Sequence, residues 1–413
     1  MASSARSASS APRARSRRLA LAALVLAAAL VAIVWRAASE TAPPPRLRRT
    51  LAAFARVPGP APRLAWPREG QAAIEVEGVG SAGATPAQRP VPIASVAKVM
   101  TAYLTLLEHP LAPGQEGFDV TITPAEVAEE GERMALDESV VPVHVGERLS
   151  ERQALTALML PSANNVAALL AVHDAGSVPA FLARMNATAR ALGMRSTRYT
   201  DPSGYLDTTV STAADQLELA LAAMRVPAFA AIVDQPSATL PVAGRVRNYD
   251  ALVGSDGFVG VKTGSDAAAG GCLVFAKRTL VAGTPLLVLG VVLGQRAGAL
   301  IDAALESARR LADSLAAAVR VHTLLASGAR ALSVEDADGQ RTSAATAGAL
   351  RALGWGGLTV RLALTAVRAG ARPRRGQRIA RVSARNPLAA STAAVLTRAL
   401  PGPSLGWRLR HLL

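Results

Sequence analysis

The stretch Ile93-Ala94-Ser95-Val96-Ala97-Lys98-Val99-Met100 opens an apolar helix around which the rest of the sequence is organised. The apolar residues after it, Tyr103-Leu104 and Leu106-Leu107, have the spacing of a buried helix. Residues three positions apart share one face of a helix, so the Lys98 amine is expected one turn from the Ser95 hydroxyl. A serine hydroxyl is a weak nucleophile unless a base lies beside it. The stretch therefore predicts an activated serine.

Lysine is rare in this chain, and its rarity singles out Lys98. Among the 45 lysines and arginines, the only lysines are Lys98, Lys262 and Lys277. Arginine keeps its proton in proteins, whereas a buried lysine can lose its proton and act as a base. A lysine three residues after a serine is therefore more informative here than in a chain of ordinary composition.

The positive charge is concentrated near the two ends of the chain. The formal net charge is +15, with arginine clusters at Arg6–Arg18 and Arg361–Arg385. A basic N-terminus before an apolar run is typical of a membrane signal, so we expect no nucleic-acid partner. The basic C-terminal stretch fits contact with anionic lipid or wall polymer, or else a solvated surface. The single cysteine, Cys272, precludes an intrachain disulfide.

The apolar run Leu19–Trp35, flanked by arginines, predicts a segment that enters the membrane. As a helix its 17 residues would span about 25 Å, close to the ~30 Å hydrocarbon core of a bilayer. Residues 1–36 are assigned to a basic N-terminus with a membrane anchor, or to a signal segment cleaved after Ala37-Ala38-Ser39. Either alternative exports the rest of the chain. The proline- and alanine-rich residues 37–66 predict an extended linker.

Three apolar runs with short connections predict an antiparallel meander near the middle of the chain. The runs are Gly257–Gly264, Gly271–Ala276 and Leu286–Leu293. A helix follows, with apolar positions from Ile301 to Leu315 at helical spacing. We expect this helix to cover one face of the sheet.

Helical spacing dominates between the Ser95 helix and these strands, which predicts a helical subdomain inserted ahead of the sheet. Two capping boxes, Thr123–Glu126 and Ser150–Gln153, mark helix starts within it. Residues 67–320 are therefore assigned to an α+β domain, an antiparallel sheet flanked by helices. Residues 321–413, with short alternating segments, are assigned to a small, basic, β-rich appendage.

Three short motifs stand in order along this domain: Ser95-x-x-Lys98, Ser162-x-Asn164 and Lys262-Thr263-Gly264. The second lies in Pro161–Asn165, a polar interruption between apolar helical runs, where serine and asparagine compete with helical hydrogen bonding. Each motif alone is weak, and S-x-N by itself indicates an ordinary helix–helix turn. Their order and their spacing of 67 and 100 residues are specific.

This set resembles the S-x-x-K, S-x-N and K-T-G motifs of the penicillin-recognising serine enzymes. Within that group the chain looks most like the low-molecular-weight D-alanyl-D-alanine carboxypeptidases, over roughly residues 65–320. The turn Asp201-Pro202-Ser203-Gly204 supports the resemblance. The resemblance implies a β-lactamase/transpeptidase-like fold, and a catalytic domain that trims the peptidoglycan stem pentapeptide and is acylated by β-lactams.

The resemblance also implies roles for the motif residues. Ser95 would attack the carbonyl of the penultimate D-alanine and form an acyl-enzyme, and Lys98 would accept its proton. A lowered pKa is required for that step, and burial together with a second ammonium at Lys262 would lower the pKa of Lys98. Ser162 would relay the proton to the departing amine. Asn164 would orient either Lys98 or the substrate amide.

The remaining roles concern substrate binding. Lys262 and Thr263 would hold the terminal carboxylate, and Gly264 would let the substrate lie against the strand. The resemblance places the oxyanion hole at the backbone N–H groups of Ser95 and Ser265. Arg296 is a further candidate for carboxylate binding.

One residue departs from the family pattern. Asp266 stands where these carboxypeptidases usually carry a hydroxyl residue. Its carboxylate would either weaken carboxylate binding in the anion pocket or point away from it.

Two alternatives to a carboxypeptidase are a class A β-lactamase and a non-catalytic wall-binding scaffold. A class A β-lactamase deacylates with a glutamate carried after its S-x-N motif, but here the first glutamate after Ser162 is Glu218, on a predicted helix. A non-catalytic wall-binding scaffold would have no reason to keep two of the three lysines in intact motifs.

No metal or organic cofactor is expected. The sequence has no H-E-x-x-H spacing and no glycine-rich phosphate loop ahead of a helix. The five histidines are scattered, at His109, His144, His173, His322 and His411.

Overall fold

The structure is a computed structural model that describes residues 11–39, 43–370 and 372–411. The start of the basic N-terminus and residues 40–42 of the predicted linker lie outside the described residues. The helices are α1 (Ala11–Ser39), α2 (Lys98–Glu108), α3 (Pro124–Ala135), α4 (Glu151–Met159), α5 (Asn164–Ala175), α6 (Val178–Ala191), α7 (Ala213–Ala223), α8 (Pro227–Val233), α9 (Leu300–Ala318) and α10 (Leu405–Arg410). The strands are β1 (Arg46–Arg49), β2 (Phe54–Arg56), β3 (Gln71–Val76), β4 (Gly80–Ala84), β5 (Val91–Pro92), β6 (Asp119–Thr121), β7 (Arg148–Ser150), β8 (Val210–Ser211), β9 (Ser237–Leu240), β10 (Gly244–Arg247), β11 (Phe258–Asp266), β12 (Gly270–Val281), β13 (Thr284–Gln295), β14 (Arg320–Leu325), β15 (Arg330–Glu335), β16 (Arg341–Thr346), β17 (Leu350–Gly354), β18 (Thr359–Ala366), β19 (Arg378–Ala384) and β20 (Ser391–Leu396).

A five-stranded antiparallel sheet in the order β11-β12-β13-β3-β4 forms the centre of the molecule. The three predicted meander strands are its β11, β12 and β13. Helix α9 packs Ala304, Leu311 and Leu315 onto one face, as the helical spacing predicts. Because helices also cover the other face, the middle strands are apolar on both sides. The α+β prediction is confirmed.

The inserted helical subdomain is built around α2. Nearly every residue of α2 from Lys98 to Leu106 is buried, because helices α4–α8 surround it. Both predicted capping boxes form: Thr123 and Glu126 begin α3, and Ser150 and Gln153 begin α4. The subdomain thus holds the start of α2 against strand β11 of the sheet.

A second, seven-stranded sheet has the order β1-β15-β16-β20-β19-β18-β2. Its interior strands come from the C-terminal region, as the predicted β-rich appendage requires. Both edge strands come from residues 46–56, which the sequence assigns to an extended linker. The structure corrects that assignment: Arg46 pairs with Glu335, and Phe54 pairs with Arg361. The pairing covers the edges of β15 and β18, which would otherwise expose unpaired backbone groups. The segments RLRR and FAR are too short to carry a clear local strand signal.

Helix α1 continues through the whole predicted membrane segment. Its part Ser16–Ser39 contains an 18-residue window with a mean hydropathy of 2.4 and is long enough to cross a membrane. The end of this helix contacts α10, where the Arg408 guanidinium donates a 2.8 Å hydrogen bond to the carbonyl of Ala38. Cations favour helix C-termini, so this contact caps the helix where it leaves the apolar run.

Candidate active site

Ser95 and Lys98 lie together where a 3₁₀ turn, Ala94–Ala97, leads into α2. Residues three apart are eclipsed in a 3₁₀ turn, and here Lys98 Nζ lies 2.7 Å from Ser95 Oγ. The residue before the serine, Ala94, has a φ of +46°, a left-handed conformation that an alanine adopts at a cost of about 1–3 kcal/mol. The entry into the helix therefore holds the hydroxyl against the amine.

The Lys98 amine is buried and has three polar neighbours. Besides Ser95 Oγ, they are Asn164 Oδ1 at 2.5 Å and the Ser203 carbonyl at 3.0 Å. The last two groups only accept hydrogen bonds, so they take two N–H bonds of the amine. A neutral amine has two N–H bonds and one lone pair. Its lone pair is then left facing Ser95, which is the geometry of a general base.

Electrostatics favour the neutral form of this amine. Burial lowers the pKa of Lys98 well below its usual range, and repulsion from the Lys262 ammonium is the second largest cause of this shift. The carboxylates of Asp201 and Glu138 act in the opposite direction but do not reverse the shift. The lowered pKa favours the neutral, proton-accepting form of the lysine.

Asn164 begins helix α5 and is itself held by a charged pair. Its Nδ2 donates to Glu138 Oε2 at 2.6 Å, and the same oxygen lies 2.8 Å from the Arg133 guanidinium. This fixes the amide so that Oδ1 points at Lys98. Neither Glu138 nor Arg133 was singled out by the sequence, because neither belongs to a local motif.

The turn Asp201–Gly204 delivers the Ser203 carbonyl to Lys98. The Asp201 carboxylate orders the turn by accepting from Ser203 N, Ser203 Oγ and Tyr205 N, at 2.7–3.1 Å. Gly204 has a φ of +80°, and a Cβ at this position would lie 1.8 Å from the Ala94 carbonyl oxygen. The turn therefore packs directly against the residue before Ser95. The sequence predicts the turn from its composition but does not indicate that its backbone reaches the lysine.

Ser162 lies in the predicted polar interruption, between the end of α4 and the start of α5. Its φ of +66° is rare for a serine, and its side chain is 3% exposed. Among the described residues, no hydrogen-bond partner lies within reach of its Oγ. A buried hydroxyl without a partner carries a desolvation cost, so this oxygen is available to a group that enters the site.

Strand β11 brings the third motif beside the serine. A Cβ on Gly264 would lie 2.9 Å from Ser95 N and 3.0 Å from Val96 N, so only glycine permits this approach of strand and turn. Lys262 and Thr263 are buried, and Lys262 Nζ donates to the Thr263 carbonyl at 2.9 Å. Burial lowers the pKa of Lys262 to about 7, against the opposing effect of Asp250. Ser265, the residue after Gly264, is exposed.

Arg296 and Asp266 are both bound to the turn between β11 and β12. The Arg296 guanidinium donates to the carbonyls of Ala267 and Ala268 at 2.9 and 2.6 Å. Asp266 Oδ1 accepts from Ala269 N at 2.6 Å. The Asp266 carboxylate thus stabilises its own turn, which agrees with the alternative in which it points away. The contacts of Arg296 likewise fix this turn.

The motifs that the sequence singled out therefore come together. Ser95, Lys98 and Asn164 are joined by direct hydrogen bonds, and Gly264 adjoins the Ser95 amide. Ser162 lies two residues from Asn164, and Lys262 is close enough to Lys98 to lower its pKa.

Comparison with known proteins gives concordant results. A family model for peptidase S11, described as D-alanyl-D-alanine carboxypeptidase, matches residues 83–296. The D-alanyl-D-alanine endopeptidase of Escherichia coli is 32% identical over 209 residues, which are 48% of this chain and 62% of that protein. The D-alanyl-D-alanine carboxypeptidase DacB2 of Mycobacterium tuberculosis is 37% identical over 186 residues, 43% of this chain and 59% of that protein. The chain spans about half to two thirds of the length of the curated relatives it matches.

Solved structures share the fold. The Streptomyces K15 DD-transpeptidase superposes with a TM-score of 0.52 at 26% identity, over 62% of this chain and 98% of that one. The D-alanyl-D-alanine carboxypeptidase DacD of Francisella tularensis superposes with a TM-score of 0.57 at 19% identity, over 83% of this chain and 96% of that one.

Proposed function

We propose that this chain, which belongs to the peptidase S11 family of D-alanyl-D-alanine carboxypeptidases, is a serine D,D-carboxypeptidase. Its substrate is the peptidoglycan pentapeptide, from which it removes the terminal D-alanine. The observation that carries the proposal is the set of contacts around the buried Lys98 amine, whose Nζ lies 2.7 Å from Ser95 Oγ, 2.5 Å from Asn164 Oδ1 and 3.0 Å from the Ser203 carbonyl oxygen. No metal or organic cofactor has a role in this mechanism.

Acylation begins when the Ser95 hydroxyl gives its proton to the Lys98 amine. Ser95 Oγ then forms a bond to the carbonyl carbon of the penultimate D-alanine, and the developing oxyanion is stabilised by the backbone N–H groups of Ser95 and Ser265. The bond from that carbon to the nitrogen of the terminal D-alanine breaks. The proton held by Lys98 passes through the Ser162 hydroxyl to this nitrogen, and free D-alanine leaves.

Strand β11 holds the substrate. The Lys262 ammonium and the Thr263 hydroxyl bind the terminal carboxylate, which suits a buried cation beside an anionic substrate end. A bound carboxylate also favours the charged form of a lysine whose pKa is about 7. Asn164 keeps Lys98 oriented, and Arg296 acts indirectly by fixing the turn that follows Ser265.

Water completes the cycle by attacking the ester at Ser95, with Lys98 accepting its proton and returning it to Ser95 Oγ. Fast hydrolysis of β-lactams, the alternative of a class A enzyme, requires a glutamate that activates this water. Glu138 is bound to both Asn164 and Arg133, and this ties its carboxylate to positioning Lys98. We therefore expect β-lactams to acylate the protein and remain attached as inhibitors.

A second candidate reaction is cleavage of cross-linked peptides. It is favoured by the Escherichia coli and Pseudomonas aeruginosa relatives, which are named as D-alanyl-D-alanine endopeptidases. The chemistry at Ser95 is the same for both reactions, and only the group that leaves differs. Helix α1 anchors the protein in the membrane, with the peptidase on the extracytoplasmic side where peptidoglycan lies.

The test is acylation by a fluorescent penicillin, with the full chain purified in detergent. The wild-type protein should be labelled at one site, Ser95→Ala should not be labelled, and the exposed control Ser255→Ala should be labelled as the wild type. D-Alanine release from a pentapeptide then separates an enzyme from a binding scaffold, and a cross-linked muropeptide assayed in parallel measures the endopeptidase reaction. Labelling of Ser95→Ala, or absence of labelling in the wild type, would overturn the mechanism.

A further inference from the structure

A second group of ionisable side chains lies at the far ends of two helices that begin at the active site. Helix α2 starts at Lys98 and is followed by His109, while α5 starts at Asn164 and has His173 and Asp174 in its last turn. At 1.5 Å per residue, the length of α2 separates this group from Ser95 by roughly 16 Å. The group is thus distinct from the site described above.

The three side chains converge. One ligand atom from each of His109, His173 and Asp174 lies within 4.8 Å of the others. His109 Nε2 and Asp174 Oδ1 are 3.5 Å apart, which is close to the ~3.4 Å edge of a tetrahedron around an ion with 2.0–2.1 Å bonds.

Neighbouring residues hold these side chains in place. The Phe118 ring stacks on His173 with centroids 3.9 Å apart and meets His109 edge-on at 4.8 Å. Thr105 Oγ1 donates to Asp174 Oδ2 at 2.6 Å. Asp174 Oδ1 is buried and accepts no hydrogen bond among the described residues, and its charged neighbour there is His109 Nε2, 3.5 Å away. Orientation of a carboxylate through its second oxygen is typical of metal ligands.

The surroundings favour a cation. Glu151 is 1% exposed, lines the same cavity of about 550 Å³ as His109, and has a buried Oε1 with no partner within the described ranges. The C-terminal ends of α2 and α5 add the negative ends of two helix dipoles.

We propose that His109, His173 and Asp174 bind a Zn²⁺ ion. The coordination position that these three ligands leave free faces the cavity and Glu151. Two imidazoles and a carboxylate suit Zn²⁺, whereas Ca²⁺ and Mg²⁺ prefer oxygen ligands alone. The ion joins the ends of the two helices that carry Lys98 and Asn164. The sequence indicated no metal site because two ligands come from one helix and the third follows another, without a recognisable spacing. This inference does not depend on the proposed peptidase activity.

The test measures Zn²⁺ binding directly. The full chain is purified in detergent with a tag free of histidine, stripped with a chelator, equilibrated with Zn²⁺ and analysed for bound metal. We expect one Zn²⁺ per chain and a rise in the thermal midpoint on its addition. His173→Ala removes an exposed ring, and it should lower the affinity for Zn²⁺ by about 10–100-fold and abolish the rise in the thermal midpoint. Asp174→Asn should do the same, and the control His144→Ala, also exposed, should behave as the wild type.

Co²⁺ provides a second readout, because tetrahedral Co²⁺ absorbs strongly in the visible range. The wild type should give this absorption and His173→Ala should not. Equal Zn²⁺ binding by the wild type and both ligand variants would show an adventitious ion only and would overturn the proposal. So would a wild type that retains no metal, and a thermal midpoint that rises equally in all variants.

Discussion

Replacement of Gly264 by alanine tests the close approach of strand β11 to the serine. The added Cβ would lie 2.9, 3.0 and 3.1 Å from Ser95 N, Val96 N and the Ile93 carbonyl oxygen. All three are backbone atoms, so none can move aside as a flexible side chain would. Ordinary contact begins near 3.4 Å, so the strand and the turn must separate by about 0.5 Å.

Such a separation acts on the oxyanion hole, because one of its proposed donors is the Ser95 amide. A misplacement of 1 Å in an active site can cost about 100-fold in rate. For Gly264→Ala we therefore expect the second-order rate of acylation by penicillin to fall by roughly 10- to 100-fold. Overpacking should also lower the free energy of unfolding by about 1–3 kcal/mol.

The assay is the time course of fluorescent-penicillin labelling, with thermal unfolding measured on the same samples. Gly131→Ala is the matched control, because Gly131 lies inside α3 with no atom within 4 Å of its added Cβ. That control should acylate normally and gain up to about 1 kcal/mol in stability. A Gly264→Ala protein that is folded and acylated within threefold of the wild-type rate would refute the reasoning.

Two further predictions concern the proton relay and the carboxylate site. Ser162→Ala removes a buried hydroxyl that has no hydrogen-bond partner among the described residues, so the thermal midpoint should change little. D-Alanine release should fall by about 100-fold, because the proton relay is lost. A large loss of stability with normal turnover per folded molecule would contradict this prediction. With a pKa of about 7, Lys262 loses its charge as the pH rises through neutrality, so kcat/KM should fall on the alkaline side. Lys262→Arg keeps the charge and should move that fall to higher pH, and an unchanged pH profile would exclude Lys262 as its origin.

Features of the site that depend on local geometry were predictable. The contact of Lys98 with Ser95 follows from their spacing at a helix start, and both capping boxes form because they need only four consecutive residues. The three meander strands follow from apolar runs with short turns between them. In each case the pattern and the structure it indicates lie in the same short stretch. The roles of the motif residues in catalysis stay predictions.

Contacts made across the fold were not predictable from one sequence. The third polar neighbour of Lys98 is the backbone carbonyl of Ser203. Every residue has a backbone carbonyl, so no sequence pattern identifies this one. Glu138 reaches Asn164 from a loop after α3 and belongs to no motif. The approach of His109 to Asp174 depends on how two helices pack side by side. Such juxtapositions are set by tertiary packing, which local periodicity does not encode.

The two edge strands of the seven-stranded sheet also determine the order in which that sheet can be completed. Strands β1 and β2 precede the whole peptidase region in the chain, and their partners β15 and β18 follow it. These strands therefore wait unpaired until synthesis is nearly finished, and such distant pairings form slowly. A protein truncated near residue 320 would leave β1 and β2 exposed and prone to pair with another chain. The seven-stranded sheet is thus complete only when strands of the C-terminal region have paired with β1 and β2.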